Sequence, residues 1–320
     1  MKIGIIGTGA YAIALSSLLE NKNYDITMWT KLENEYKELT ENHTNLKIID
    51  YKINDKIKFT MDMSDFFDKD IIILAIPAKF IKNTILEFKS YYKNQHILIA
   101  TKGIEEESKS LIHDFLEKEL NTNKIGCISG PSFASDVIKK DLIGLTIASK
   151  NMESLNIFKD LFDNISYLDI DITNDIVGCE LCGILKNIMA IISGILEGLA
   201  VSNSANAKFL TDASLEMQKI ISKFEGDANT FNRYAGFGDF ILTCTSRESR
   251  NHTFGFLIGK GKDFHAYKQN TTIEGLDNLN TIYEIFKVKD IKSDLIDILY
   301  EIVYLSKPKE LILEYLKNNK

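Results

Sequence analysis

The chain has 320 residues, 45% of them hydrophobic and 26% charged, which is typical of a globular protein long enough to form two domains. Its formal net charge of −7 excludes a general nucleic-acid binder, which needs a basic surface, but is compatible with a small anionic ligand in a local positive pocket. Lysine supplies nearly all of the 38 basic residues, because the only arginines are Arg233, Arg247 and Arg250.

Seven short apolar runs in the first half of the chain predict β-strands. Several are apolar on successive residues, as strands covered on both faces are, and helical segments separate most of them. This alternation predicts an α/β fold with a largely parallel, doubly wound sheet. The predicted strands are residues 2–6, 25–29, 71–76, 96–101, 125–129, 144–149 and 166–170.

The pattern changes near Asp175, after which apolar residues follow helical spacing and no further strand is predicted. Residues 205–224 and 294–307 are the clearest amphipathic helices. We therefore predict two domains, residues 1–172 and residues 173–320, of which the second is all-α.

The sequence carries no signal for export or membrane insertion. No run approaches the roughly 18 uninterrupted apolar residues of a membrane span, and the N-terminus lacks the pattern of a signal peptide. The four cysteines are too sparse for a disulfide framework, so we expect thiols. Cys179 and Cys182 form a C-x-x-C with no second pair at metal-ligand spacing, which predicts core thiols and no metal. We expect a cytoplasmic protein.

A glycine-rich turn follows the first predicted strand. Gly7, Gly9 and Ala12 form G-x-G-x-x-A between that strand and a helical segment. In this context the first glycine makes a tight turn, the second lets the backbone approach a pyrophosphate, and the small third residue allows close helix packing. The helix N-terminus then favours the anion. The pattern predicts a Rossmann-type domain that binds a dinucleotide.

The end of the second predicted strand bears on the choice of dinucleotide. An acid there would hydrogen-bond the ribose hydroxyls of NAD, but the sequence places Thr30 and Lys31 at this point, and the nearest acid is Glu33. A cation suits a 2′-phosphate. NADP(H) is therefore favoured, with NAD(H) as the alternative and a solvated surface role for Lys31 as the other interpretation.

Lys186 and Asn187 interrupt a predicted helix, residues 180–200, that is otherwise apolar nearly all round. An unpaired buried ammonium costs on the order of several kcal/mol, so Lys186 is paired with an acid for packing, extends its ammonium to solvent, or lies beside a polar cavity. In a cofactor cleft it would act as a general acid or base on a ketone oxygen. The histidines lack an evident orienting partner and are expected to be structural: His43, His96, His113, His252 and His265.

A second polar cluster lies in residues 235–251. Two glycines tighten a turn before Asp239, and Ser249, Arg250 and Asn251 then provide adjacent hydrogen-bond donors. Arginine with serine and asparagine at a helix start is a credible phosphate or carboxylate clamp. The alternative interpretations are solvent exposure for Arg250 and a helix cap for Asp239.

Together these motifs resemble one family, the bacterial type of NAD(P)-dependent glycerol-3-phosphate dehydrogenase. The matching segments occur in the family's order and spread over almost the whole chain. They are GTGAYA at residues 7–12, ATKG at 100–103, SGPSFA at 129–134, ELCGILKNIMAI at 180–191, NAK at 206–208, GFGDFILTCTS at 236–246, SRN at 249–251 and IEG at 273–275.

The resemblance implies a Rossmann-type NAD(P)-binding domain, a helical substrate-binding and catalytic domain, and an active site between them. The implied reaction is the reversible reduction of dihydroxyacetone phosphate to sn-glycerol 3-phosphate, which feeds glycerophospholipid synthesis. Lys186 would be the proton donor or acceptor, and Arg250 and Asn251 would hold the substrate phosphate.

The resemblance also assigns contacts by motif position. Substrate contacts would be Lys102, Gly130, Ser132, Asp239, Ser249, Arg250 and Asn251. Dinucleotide contacts would be Gly7, Gly9, Ala10, Tyr11, Lys31, Lys102, Ala134, Arg250 and Glu274. The expected partner is a small phosphorylated three-carbon substrate, with neither nucleic acid nor membrane insertion, and the family suggests a homodimer.

Three alternatives stay open at this point. Dehydrogenases of the ketopantoate and of the 6-phosphogluconate or β-hydroxyacid type share the cofactor domain and a catalytic lysine on a helical second domain, although the SGPSFA, GFGD and SRN segments favour the glycerol phosphate enzyme. A non-catalytic NADP(H) sensor would have no need of a buried lysine beside a phosphate clamp.

Overall fold

The computed structural model describes residues 1–20, 22–48 and 51–318. The chain divides into two units, Met1–Ile176 and Val177–Lys320. Before this division the last strand, Leu168–Thr173, still pairs with the sheet. The predicted boundary after residue 172 would cut that strand.

Among its described residues the first unit has ten strands, and eight of them form one sheet. They are β1 (Lys2–Ile6), β2 (Asp25–Trp29), β3 (Lys58–Thr60), β4 (Ile71–Leu74), β5 (His96–Ile99), β6 (Ile104–Glu105), β7 (Ser110–Leu111), β8 (Ile125–Ser129), β9 (Ile143–Ala148) and β10 (Leu168–Thr173).

The strand order of the main sheet is β10-β9-β8-β5-β4-β1-β2-β3, and every neighbouring pair is parallel except β8 with β9. The order 3-2-1 followed by 4-5 in the opposite direction is that of a doubly wound dinucleotide-binding sheet, so the predicted fold class is confirmed. In such sheets ligands bind at the carboxyl ends of the strands where the order reverses, which here is beside β1 and β4.

Differences from the predicted strands are local. The runs that begin at Ile71 and His96 each leave the sheet earlier than predicted, at Leu74 and Ile99. No strand was predicted at β3, because three residues are too few for a periodic pattern. The β6–β7 pair is shorter still.

Helices cover the sheet. They are α1 (Ala10–Leu19), α2 (Glu33–Asn42), α3 (Ile81–Phe88), α4 (Ile112–Leu120), α5 (Ala134–Lys139) and α6 (Met152–Phe162). The helix α1 is buried along almost its whole length, from Ala12 to Leu19, and its side chains join those of the central strands in one core. This burial fixes the N-terminus of α1 beside the carboxyl end of β1.

The second unit contains only helices among its described residues, as predicted. They are α7 (Ile176–Gly198), which begins at the boundary, α8 (Asn203–Lys223), α9 (Asp239–Thr245), α10 (Arg250–Gly259), α11 (His265–Asn270), α12 (Glu274–Lys289), α13 (Asp294–Tyr304) and α14 (Leu311–Asn318). A short π-helical segment, Tyr234–Gly238, leads directly into α9.

The helix α7 is the apolar centre of this unit. By length and composition it would be long enough to cross a membrane, but 94% of its most apolar window is buried within the protein, as in a core helix. Its Gly194 lies against α10 so closely that a Cβ atom would stand 2.0 Å from the His252 carbonyl oxygen, and Gly255 of α10 meets Ile191 in the same way. This close packing fixes the start of α10 relative to α7.

Candidate active site

The turn between β1 and α1 has the geometry of a pyrophosphate cradle. Gly7 has a φ of +126°, and a Cβ atom there would stand 2.4 Å from the Ala75 carbonyl oxygen, so only glycine fits. Gly9 differs, since no atom lies within 4 Å of its missing Cβ. It precedes α1 in an extended conformation, with no side-chain cap and no acid in the first turn. These features fit the phosphates of a dinucleotide.

Lys31 lies two residues after the end of β2. The side chain of Lys31 is 74% exposed, and its ammonium nitrogen lies 3.5 Å from Glu87 Oε2. The acid that the sequence placed nearest, Glu33, instead forms an ion pair with Lys37 one helical turn away. Glu33 is therefore engaged along its own helix.

A different acid, Glu35, faces the glycine turn. Its Oε2 accepts hydrogen bonds from the Thr8 hydroxyl at 2.7 Å and from the Thr30 hydroxyl at 3.3 Å, and its Oε1 pairs with Lys47. Thr8 lies between the two glycines of the motif, and Thr30 directly follows β2. The first turn of α2 thus brings a fixed carboxylate to the place where the motif expects an acid.

Three segments of the first unit meet around Tyr11. This residue lies in the first turn of α1, and its hydroxyl is 3.1 Å from Ser132 Oγ in the loop after β8. The ammonium of Lys102, in the loop after β5, lies 5.0 Å from the centre of the Tyr11 ring. The same loop after β8 contains Gly130 and ends where α5 begins at Ala134. The structure therefore brings these five predicted ligand residues onto adjoining segments.

In the second unit Lys186 is only 7% exposed and has acquired an acidic partner. Its ammonium donates hydrogen bonds to Asp239 Oδ1 at 2.5 Å and to the Thr243 hydroxyl at 3.0 Å. Asp239 and Thr243 lie one turn apart on α9, so both face α7. The pairing offsets the cost of burying the ammonium. Asp239 is the first residue of α9, and it serves this ion pair in addition to lying at a helix start.

The cysteines near this pair are buried thiols. Burial raises the pKa of the Cys244 thiol far above its ordinary value, with Asp239 adding to the rise and Lys186 opposing it. The Cys244 thiol is therefore protonated and is no substitute for an acid or base at neutral pH. Cys179 and Cys182 are fully buried in α7. Among the described residues, no group of three or more His, Cys, Asp or Glu side chains is arranged to hold a metal.

Beside the lysine, Asn187 connects α7 to Glu274 at the start of α12. Its amide nitrogen donates to Glu274 Oε2 at 3.0 Å, while Glu274 Oε1 lies 3.7 Å from an Arg250 guanidinium nitrogen. Asn251 Oδ1 accepts a hydrogen bond from the Gly275 amide at 2.8 Å. Two predicted dinucleotide contacts, Arg250 and Glu274, are thus neighbours.

The predicted clamp lies at a helix start, as expected. Ser249 caps α10 by accepting a hydrogen bond from the His252 amide at 3.3 Å, and Arg250 and Asn251 form the first turn. The Arg250 side chain is 53% exposed, whereas Asn251 is buried. The Arg250 guanidinium is therefore accessible to an anion at the positive end of the helix dipole.

One of the histidines expected to be structural, His252, lies in a cluster of charged side chains. His252 is buried, and its Nε2 lies 3.2 Å from Glu197, which also accepts a hydrogen bond from Arg247 Nε at 2.9 Å. Burial lowers the pKa of His252, with Glu197 opposing the effect and Arg247 reinforcing it. The histidine thus has an acidic partner that sequence spacing did not reveal. Arg247 belongs to this cluster and not to the Arg250 clamp.

Sequence reasoning missed three polar contacts. Thr243 was detectable, because it follows Asp239 by one helical turn on the same face. Asn187 was noticed only as an interruption of the apolar helix. Glu35 left no local signal, because α2 had to be placed in space before its first turn could be seen to approach Thr8.

Family comparisons cover nearly the whole chain. The model of the NAD-dependent glycerol-3-phosphate dehydrogenase N-terminus matches residues 2–155, and that of the C-terminus of the same enzyme matches residues 175–314. The glycerol-3-phosphate dehydrogenase [NAD(P)+] of Staphylococcus haemolyticus is 32% identical, over 96% of this chain and 95% of that protein. The enzyme of the same name from Leptospira biflexa is 33% identical, over 98% and 96%.

Solved structures support the same family. The crystal structure of glycerol-3-phosphate dehydrogenase from Coxiella burnetii superposes with a TM-score of 0.93 at 26% identity, covering 99% of this chain and 98% of that one. A ketopantoate reductase from Ralstonia eutropha reaches a TM-score of only 0.65 at 12% identity, covering 99% and 100%, so it shares the fold alone. The chain belongs to the NAD(P)-dependent glycerol-3-phosphate dehydrogenase family of oxidoreductases.

Proposed function

We propose that the protein reversibly reduces dihydroxyacetone phosphate to sn-glycerol 3-phosphate with NAD(P)H and so feeds glycerophospholipid synthesis. The observation that carries the proposal is the buried ammonium of Lys186, held by Asp239 and Thr243 on the same unit as the exposed Arg250 guanidinium at the start of α10. The first unit is proposed to bind the dinucleotide, and the second to bind the substrate and carry the catalytic lysine.

Lys186 is proposed as the general acid. The reduced nicotinamide supplies the hydride to the carbonyl carbon when it is bound. The Lys186 ammonium donates a proton to the carbonyl oxygen, the C=O bond becomes C–OH, and the neutral amine regains its proton from solvent. In the reverse direction the amine removes the hydroxyl proton. Asp239 orients the ammonium through its hydrogen bond, and Lys102 adds positive charge for the developing alkoxide.

The substrate phosphate is assigned to Arg250 and Asn251, with Ser249 at the same helix start. A phosphate held there would orient the carbonyl through binding energy remote from the reacting carbon. Gly130 and Ser132 are proposed as further substrate contacts on the first unit.

A nicotinamide dinucleotide is the family's cofactor. On the first unit its proposed contacts are Gly7, Gly9, Ala10, Tyr11, Lys31, Lys102 and Ala134, and on the second Arg250 and Glu274. We propose that Lys31 favours NADP(H). Its ammonium is exposed beside Glu87, so it can turn from that carboxylate to a 2′-phosphate without first leaving a buried position. Glu35 works in the opposite direction, since a fixed carboxylate repels that phosphate.

A spectrophotometric assay tests the reaction. Purified protein should oxidise NADPH or NADH when dihydroxyacetone phosphate is added, whereas ketopantoate and a blank without substrate should give no comparable rate. Oxidation with ketopantoate alone would instead support the related dehydrogenase, and cofactor binding without any turnover would support a sensor.

The assembly and location are proposed from the family resemblance. We propose a homodimer in the cytoplasm. Light scattering on the purified protein should give twice the mass of the 36.3 kDa chain. A monomeric mass at the concentrations used for assay would contradict the dimer.

A further inference from the structure

Tyr11 contacts two loops besides its own helix, and this gives it a role beyond touching the dinucleotide. Its hydroxyl reaches Ser132 after β8, and its ring faces Lys102 after β5. Both partners are proposed substrate contacts, whereas Tyr11 itself lies in the first turn of the proposed pyrophosphate-binding helix. One side chain therefore connects the two ligand subsites of this unit.

The direction of the hydroxyl contact follows from proton counting. Ser132 has one hydroxyl proton, which it donates to the Gly130 carbonyl oxygen at 3.0 Å. At the 3.1 Å contact the Tyr11 hydroxyl is then the donor and Ser132 Oγ the acceptor. Gly130 itself lies in a closely packed turn, because a Cβ atom there would stand 2.2 Å from the Gly144 carbonyl oxygen. The relay from Tyr11 through Ser132 thus ends on this closely packed turn.

The second contact is electrostatic. The Lys102 ammonium lies 5.0 Å from the ring centre, within the range of a cation–π interaction. Such a contact restricts a long, flexible lysine side chain without removing any of its three hydrogen-bond donors. Lys102 can therefore be held beside Tyr11 by a contact that uses its charge and not a hydrogen bond.

We propose that Tyr11 is a positioning residue for the phosphorylated substrate: it orders the Lys102 ammonium, and it orders the Ser132 hydroxyl oxygen, whose remaining lone pair can accept a hydrogen bond from a substrate hydroxyl. The hydroxyl acts on Ser132 and the ring acts on Lys102, so the two effects are separable. The inference rests on the proposed function, because it concerns how the same site binds its substrate.

The experiment compares Tyr11→Phe, which keeps the ring, with Tyr11→Leu, which removes ring and hydroxyl. Tyr11→Phe should raise the KM for dihydroxyacetone phosphate about two- to tenfold, the range expected for one hydrogen bond. Tyr11→Leu should add about two- to fivefold through loss of the cation–π contact. The Kd of NADPH for Tyr11→Phe, measured by fluorescence without substrate, should change less than about twofold, and melting temperatures should show that the variants fold.

A double-mutant cycle supplies the sharper readout. If the hydroxyl acts through Ser132, the double variant Tyr11→Phe/Ser132→Ala should have the same KM as Ser132→Ala alone. Effects on KM that simply multiply would overturn the relay, and a wild-type KM for Tyr11→Phe in an active enzyme would overturn the role of the hydroxyl alone. No turnover of dihydroxyacetone phosphate by the wild-type protein would overturn the proposed function and this inference together.

Discussion

At the scale of single residues, the proposed chemistry of the second unit depends on the buried ion pair of Lys186. The sequence indicated a lysine too costly to bury alone and left open whether it was a packing pair or a catalytic group. Asp239, the partner, lies 53 residues further along the chain. An acid beside the ammonium is compatible with both interpretations, so variants of the pair must separate them.

Lys186→Ala is expected to lower kcat by about 10² to 10⁴, the usual contribution of a general acid, with a smaller change in KM. It also leaves Asp239 buried without its partner, which is destabilising. The measurement is steady-state kinetics together with thermal unfolding.

The double variant Lys186→Ala/Asp239→Asn is the matched control. It removes the uncompensated charge and should recover stability without recovering turnover. Recovery of both would show that the lysine serves packing alone.

Arg250→Ala should show the opposite kinetic pattern to Lys186→Ala, with the KM for dihydroxyacetone phosphate raised about tenfold to a hundredfold and kcat less affected.

We propose that single residues also decide the choice between NADP(H) and NAD(H). Glu35→Gln retains a hydrogen-bonding side chain but removes the negative charge beside Thr8 and Thr30. We expect the ratio of kcat/KM for NADPH to that for NADH to rise about tenfold, since one fixed charge near a phosphate is worth about 1 kcal/mol or somewhat more.

Lys31→Gln is the counterpart and should lower the same ratio. Glu33→Gln, on the same helix as Glu35, should leave this ratio unchanged, because Glu33 pairs with Lys37 instead of approaching the glycine turn. A ratio that responds equally to Glu33→Gln and Glu35→Gln would contradict the role of Glu35.

At the scale of elements, the turn from β1 into α1 uses its two glycines for different reasons. Gly7 is required by the fold, since its backbone is left-handed and it lies against Ala75. The fold itself leaves space at Gly9. The sequence motif names both positions alike, and only the surroundings of each glycine separate a structural role from a ligand-binding one.

Two substitutions test this division. Gly7→Ala should lower the free energy of unfolding by about 1–3 kcal/mol, because the backbone conformation is strained for alanine and its Cβ meets a carbonyl oxygen. Gly9→Ser should keep the stability, since serine suits the position before a helix, but should weaken NADPH binding about tenfold by filling the cradle. Urea unfolding and fluorescence titration measure the two effects. Normal NADPH affinity in Gly9→Ser would place the dinucleotide elsewhere.

At the scale of the whole molecule, acidic residues outnumber basic ones, and the Glu216 carboxyl group lies where burial disfavours its charged form. Burial raises the pKa of Glu216 on α8 from 4.5 to about 7, and Asp294 adds to the rise. Hydrogen bonds from Ser293 and the Leu295 amide, and the charge of Lys219, oppose it. Glu216 thus reaches the N-terminal turn of α13 across the helical unit.

This carboxyl should make stability depend on pH. The folded state holds its proton more tightly than the unfolded state, so stability is greatest below about pH 4.5 as far as this group is concerned, and falls as the pH rises through 7. We expect Glu216→Gln to reduce that fall by about 2 kcal/mol between pH 5 and pH 8, after allowance for partial exposure.

Urea unfolding at several pH values measures the effect. Asp294→Asn, which changes an exposed acid at the start of α13, should preserve most of the pH dependence. Equal loss of the dependence in both variants would contradict the assignment to Glu216.

The sequence by itself determined the order of strands and helices, the glycine turn, the buried lysine and the helix start at Arg250. Each depends on residues close together in the chain, where periodicity, turn chemistry and motif spacing act directly. The tertiary structure alone decided which side chains meet. It paired Lys186 with Asp239, brought Glu35 instead of Glu33 to the glycine turn, and placed Tyr11 between Lys102 and Ser132. These contacts join residues far apart in the chain, because packed sheets and helices fix distances that sequence spacing does not encode.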